Sequence, residues 1–138
     1  MKKFSIYLFL FVGILGFSSC KKYDEGPAFS LRSKKARVVN IWKIEKFIIN
    51  GKDETSNIAP LLANYTLTFK DDDTWESTID GQREAGTWEF DSDKENLQIK
   101  TGNSSTIESA KILRLTNDEL WTEQIEGSDK LEIHYETK

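Results

Sequence analysis

From Ile41 to the C-terminus, apolar and polar residues alternate with a period of two, the pattern of half-buried strands. Trp42 and Ile44 alternate with Lys43 and Glu45, and Tyr65, Leu67 and Phe69 with Thr66, Thr68 and Lys70. Trp75, Ser77 and Ile79 alternate with Glu76, Thr78 and Asp80, and Trp88 and Phe90 with Thr87, Glu89 and Asp91. Leu97 and Ile99, then Leu131, Ile133 and Tyr135, continue the series. Two further segments complete it. Residues 107–115 carry Ile112, Leu113 and Leu115, a mixed period that predicts a bulge, and Leu120 to Ile125 follow. Turn-forming clusters separate the segments: Asp71-Asp72-Asp73, Asp80-Gly81-Gln82, Asp91-Ser92-Asp93, Gly102-Asn103-Ser104 and Gly127-Ser128-Asp129. Eight strands at this short, regular spacing predict an all-β fold, a barrel or a sandwich. Sequential hairpins favour an eight-stranded antiparallel up-and-down barrel, whose closure leaves no exposed sheet edge. Ser33 is placed to cap a short N-terminal helix running through Asn40.

One connection departs from the rest. Asn50-Gly51 reads as a two-residue hairpin turn, yet Lys52 to Asn64 separate it from the next strand, and this stretch carries Ile58, Leu61 and Leu62 around Pro60. Long connections in compact domains are uncommon unless functional or flexible. Its apolar residues predict either a lid over the barrel mouth or a plug that closes the barrel end. The phase of the strands turns Trp42, Tyr65, Phe69, Trp75, Trp88, Phe90 and Tyr135 inward and Trp121 outward. A barrel of eight strands is just wide enough to be filled by side chains or to hold one small ligand. These aromatics suit either a packed core or the walls of an apolar pocket.

The N-terminus has the order of a secretory signal: Lys2 and Lys3, then an apolar run from Ile6 to Phe17 broken by glycines, then small residues before Cys20. The run falls short of the roughly 20 residues of a transmembrane helix. Phe17-Ser18-Ser19-Cys20 resembles a lipobox, at which the cysteine thiol is lipidated and becomes the first residue of the mature chain. Cys20 is also the one cysteine in the sequence, an odd number for an exported chain that folds with disulfides. Residues 1–19 are thus expected to be a lipoprotein signal peptide, 20–32 a tether containing Gly26-Pro27, and 33–138 a single domain. Removing the signal takes two of the 19 Lys and Arg and none of the 23 Asp and Glu, leaving the mature chain more acidic than the −4 of the whole. With no basic stripe, nucleic-acid binding has no electrostatic support.

Several framework segments carry a resemblance. Trp42-Lys43-Ile44 opens the first strand and Asn50-Gly51-Lys52 closes it. Tyr65-Thr66-Leu67-Thr68-Phe69 precedes an Asp-rich turn, and Gly86-Thr87-Trp88-Glu89-Phe90 and Leu113-Arg114-Leu115-Thr116 with Leu120 follow. Over residues 33–136 the chain resembles the lipocalin-like lipoproteins of Gram-negative bacteria of the gut and aquatic type. Asn40 stands where lipocalins proper carry glycine, two residues before the first tryptophan. The resemblance implies a barrel, and by fold analogy the binding of a ligand. Such barrels use a long connection near the mouth, so the expected ligand contacts are Ile58, Leu61 and Leu62 from above and Tyr65, Trp75 and Trp88 as walls.

Catalytic candidates are few. His134 is the single histidine, and its phase places it outward, as a solvated surface residue. No serine has an evident base partner, and Cys20 is committed to lipid. There is no second histidine for a histidine-rich metal site. Asp91-Ser92-Asp93-Lys94-Glu95 begins like a calcium-binding EF-hand loop, but Asn96 and Gly102 stand where that loop requires glycine and glutamate. Asp71-Asp72-Asp73 reads as a solvated turn. The expectation is a non-enzymatic protein without metal or cofactor, held to a membrane by lipid on Cys20, that binds a small, partly apolar molecule. The alternative is a structural or protein-interaction lipoprotein with a filled barrel. Lys21 after the cysteine favours the outer membrane, and Asp24 and Glu25 resemble surface-export signals, so either its periplasmic or its cell-surface face is open to the protein.

Cys20→Ser should release the protein from membranes, since the lipid is the expected hold and stable anchoring takes more than one acyl chain. Fractionation checks this: variant protein that still sediments fully with membranes after a salt wash contradicts the lipobox.

Overall fold

The computed structural model describes residues 31–138. The expected signal peptide, Cys20 and most of the tether lie outside the described residues. Helix α1 spans Lys34–Val38, and nine strands follow with one further helix: β1 (Asn40–Ile49), β2 (Lys52–Asp53), α2 (Thr55–Leu62), β3 (Thr66–Phe69), β4 (Thr74–Ile79), β5 (Gln82–Phe90), β6 (Asn96–Thr101), β7 (Glu108–Leu115), β8 (Glu119–Glu126) and β9 (Asp129–Thr137). Each strand from β3 to β8 pairs antiparallel with the next, and β1 pairs with both β3 and β9. The result is a closed eight-stranded up-and-down barrel, with β2 a two-residue addition on the edge of β1.

The turns follow from local chemistry. Asn50 and Gly51 both take positive φ (52° and 80°), the geometry of a two-residue hairpin that matches strand twist. Asp72 Oδ1 accepts from the Thr74 backbone N–H, and Asp91 Oδ1 from those of Glu95 and Asn96, so both acidic turns spend a carboxylate on their own backbone. Asp73 pairs with Lys35 on α1 at 2.7 Å. The mixed period in β7 is a register shift between Ile112 and Arg114, which leaves Leu113 as the extra residue. A second shift in β1, between Ile44 and Lys46, was not signalled by the sequence pattern.

Helix α1 ends sooner than its sequence suggests. Ser33 Oγ caps it by accepting from the Ala36 N–H, but the helix stops at Val38 and β1 begins at Asn40. The reason lies in the packing: Val38 is fully buried, and its carbonyl accepts the Trp42 indole N–H at 2.9 Å. Arg37 donates to the Leu115 carbonyl at 2.8 Å. With Lys35 tied to the β3–β4 turn and Arg37 to the end of β7, α1 closes one end of the barrel.

Behind that end the interior is solid. Val38, Trp42, Phe69, Trp88, Leu97, Ile112, Leu115 and Leu120 form one buried cluster. Trp88 sits edge-on to Phe69 (5.3 Å between ring centroids) and to Phe90 (5.6 Å). All three inward tryptophans also satisfy their indole N–H on backbone carbonyls: Trp42 on Val38, Trp75 on Lys100 and Trp88 on Lys70. Gly86, paired with Trp75 on β4, has no room for a side chain: a Cβ there would lie 1.8 Å from the Lys100 carbonyl oxygen of the neighbouring β6.

Truncating Trp42, fully enclosed, to alanine should cost about 3–5 kcal/mol, and Trp121→Ala, on the outer wall, distinctly less. Urea unfolding of the two variants measures this; Trp121 as the costlier position would contradict the register.

Candidate functional site

The far end of the barrel, bearing the Asn50-Gly51, Asp80-Gly81 and Gly127-Ser128 turns, is built differently. The inward phase continues up each strand, but the residues become smaller and more polar. β4 presents Ser77 above Trp75, β5 presents Glu84 beyond Gly86, and β6 presents Thr101 beyond Ile99. β7 contributes Glu108 and Ala110, and β8 contributes Thr122 and Gln124 above Leu120. These side chains do not fill the space they surround. They enclose a cavity of about 330 Å³ inside the barrel, floored by Leu67, Phe69, Trp75, Leu97 and Leu120. Glu84 and Glu108 line it and are themselves exposed, so the cavity reaches solvent at this end.

Tyr65 and Tyr135 form one wall. Burial pushes the Tyr65 phenol from the ordinary 10.0 up to about 12; contact with Tyr135 opposes that shift and the negative charge of Glu84 adds to it. Tyr135, buried among the core residues, is raised well above 10.0 mainly by burial, with Tyr65 adding to the shift. Both phenols are therefore neutral hydrogen-bonding groups at physiological pH.

Of the residues expected to contact a ligand, Tyr65 and Trp75 line the cavity, whereas Ile58, Leu61, Leu62 and Trp88 do not. Trp88 lies deeper, packed between Phe69 and Phe90. The Lys52–Asn64 segment acts neither as lid nor as plug. β3 covers only Asn40 to Trp42 of β1, which leaves the later edge of β1 unpaired by β3. The segment takes that edge: β2 pairs with Ile48 and Ile49, the Glu54 N–H donates to the Phe47 carbonyl, and Thr55 Oγ1 accepts from the Phe47 N–H. Helix α2 is thereby held against the barrel's side. Leu62 lines an outer groove of about 510 Å³ with Ile44, Tyr65 and Thr78, Ile58 is half-buried, and Leu61 is 48% exposed.

His134 is outward, as its phase requires, but it is not solvated. It is 7% exposed, its ring stacks on Trp121 with centroids 3.8 Å apart and planes 3° from parallel, and Nε2 lies 2.6 Å from Glu132 Oε1. Arg114 lies over the other partner, 5.2 Å from the Trp121 ring, and is held by Glu119. These are cross-strand neighbours on the outer wall: Arg114 faces Trp121, and Trp121 faces His134. The tight turn at Gly127-Ser128 fixes that register, so the pairing was available from the sequence once the hairpin was counted back from its tip.

Sequence reasoning missed the inward polar set: Ser77, Glu84, Thr101, Glu108, Thr122 and Gln124. Their signal was the same strand parity that located the aromatics, carried on past the last apolar residue. Among the described residues no cluster of three or more His, Cys, Asp or Glu could hold a metal ion, and no helix is long and apolar enough to cross a membrane.

Comparison with known proteins gives a family and a fold. The sequence model of a family described as lipocalin-like domain matches residues 38–121. A crystal structure of a DUF4847 family protein from Bacteroides vulgatus ATCC 8482 superposes with a TM-score of 0.56 at 17% identity, over 74% of this chain and 94% of that one. No curated protein matches the chain in sequence.

With a phenol pKa higher in the folded than in the unfolded chain, Tyr65 favours folding fully below about pH 10 and loses that contribution as pH rises toward 12. Tyr135 acts with the same sign. Stability measured by urea unfolding should therefore fall over this range in the parent and fall less steeply in Tyr65→Phe; equal slopes would contradict the burial of this phenol.

Proposed function

Since the chain belongs to the lipocalin-like domain family, we propose that it is a binding protein whose barrel takes up a small, partly apolar molecule, and that lipid on Cys20 holds it outside the cytoplasm at the outer membrane, on its periplasmic or cell-surface face. One observation carries the binding reading: the cavity. Its volume of about 330 Å³ reaches the lower end of ligand pockets, which begin at about 300 Å³. It has the usual make-up of such a pocket, an apolar floor under a few convergent hydrogen-bonding groups. The sequence at residues 1–20 supports the anchor and the export.

The reading is non-enzymatic. The family's barrel is generally a binding fold, and what the cavity offers is shape, apolar surface and hydrogen bonds. The second reading, a structural or interaction lipoprotein, draws support from the solid lower half of the barrel, where Val38, Trp42 and Leu115 are fully buried.

Ala110 separates the two. It is buried, lines the cavity and has room in front of it. Ala110→Phe should abolish binding of a small apolar probe such as 1-octanol, followed by tryptophan fluorescence, without lowering the melting temperature. Native mass spectrometry of protein purified from its own host should show a bound small molecule on the parent and none on the variant. A parent that binds nothing in either assay would favour the filled-barrel reading.

A further inference from the structure

We infer that the cavity selects amphipathic cations: molecules with a compact apolar body and a protonated amine or quaternary ammonium head. The inference rests on the binding reading above and adds the chemistry of the ligand.

The charge of the cavity is one-sided. Glu84 and Glu108 line it, and no Lys, Arg or His does. Neither glutamate makes an ion pair among the described residues, although acidic residues on the outer wall commonly do. Glu76 pairs with Lys70 and Arg83, Glu119 with Arg114, Glu123 with Lys130 and Glu136 with Lys43. The chain has cations to spend on carboxylates and spends them outside the barrel.

Both charges come from the same arc of the barrel, on the two strands that border β6. Gly86 faces Thr101 and Ile99 faces Glu108, so Glu84 on β5 lies two residues beyond the level of Thr101 and Glu108 on β7 two residues short of it, on either side of β6. The field of Glu84 reaches into the cavity, where it adds to the upward shift of the Tyr65 phenol. Below the carboxylates Tyr65 and Tyr135 form a wall and Trp75 part of the floor, aromatic surroundings that favour a cation further. The apolar floor of Leu67, Phe69, Leu97 and Leu120 then receives the body of the ligand. A cationic head at the mouth gains a charge-assisted hydrogen bond from either carboxylate and the attraction of both. A fatty-acid anion in the same orientation meets two like charges, which is discrimination by repulsion.

Three probes of matched shape test this: octylamine, 1-octanol and octanoate, titrated into the purified protein at neutral pH and low salt. The expected order is amine, then alcohol, then carboxylate, with the amine roughly tenfold tighter than the alcohol, the difference between a charge-assisted and a neutral hydrogen bond. In Glu84→Gln/Glu108→Gln the ratio of amine to alcohol affinity should collapse to about one, with a melting curve showing that the variant is folded. Raised salt should shrink the same ratio in the parent. Equal affinity for amine and alcohol in the parent, or an amine preference that survives in the double variant, overturns the cation inference and leaves the cavity as a binding site. Failure of all three probes to bind overturns both.

Discussion

The barrel depends on β1 holding two neighbours at once. Its outer edge pairs with β9 from Trp42 to Ile49, and its other edge pairs with β3 over Asn40 to Trp42. That double pairing turns a meander of hairpins into a closed wall. It also sets how the interior can be used. A closed barrel of this size must fill itself with its own side chains or enclose a space, and this one does each at a different end. At the α1 end, large residues meet and the indole of Trp42 anchors to the Val38 carbonyl. At the other end the inward positions pass to Ser77, Thr101, Ala110 and Thr122, which are too small to meet across the axis.

The pairing with β3 is short, and that has a consequence for the long connection. Because β3 leaves β1 beyond Trp42, the later part of β1 has a free edge, and unpaired edges invite another segment. The chain supplies its own: β2 and the start of α2 take the hydrogen-bonding groups of Phe47 to Ile49. The apolar residues of α2 are used against the flank of the barrel, and the mouth stays uncovered. A segment that loops away from a barrel rim is thus not necessarily a cover for it. The free backbone groups nearby decide where it lies.

Most of the fold was legible in the sequence because alternation with a period of two is a direct record of which side chains face the core. The phases of Trp42, Tyr65, Trp75, Trp88 and Tyr135 follow from it, as do the Asn50-Gly51 hairpin and the bulge at Leu113. The parts that were not legible have separate physical causes. Helix α2 contains Pro60 and lacks a side-chain cap, so local propensity argued against a helix that tertiary contacts hold in place. His134 was assigned to solvent because parity tells which face a residue occupies, and says nothing of a neighbouring ring stacking over it. The candidate site was only half visible: attention to apolar residues found Tyr65 and Trp75, while the polar residues that shape the mouth, Glu84 and Glu108 above all, share the same parity but carry no hydrophobic signal.

The central claim is that the barrel is hollow and accessible at one end and solid at the other. Methyl-detected NMR during a titration with 1-octanol measures this most directly. The structure predicts saturable shifts at Ile79, Ile99 and Ala110, which line the cavity, with Val38 and Leu115 in the solid half unchanged. Shifts confined to outward residues such as Ile107 and Ile125, or no saturable shifts at all, would contradict it.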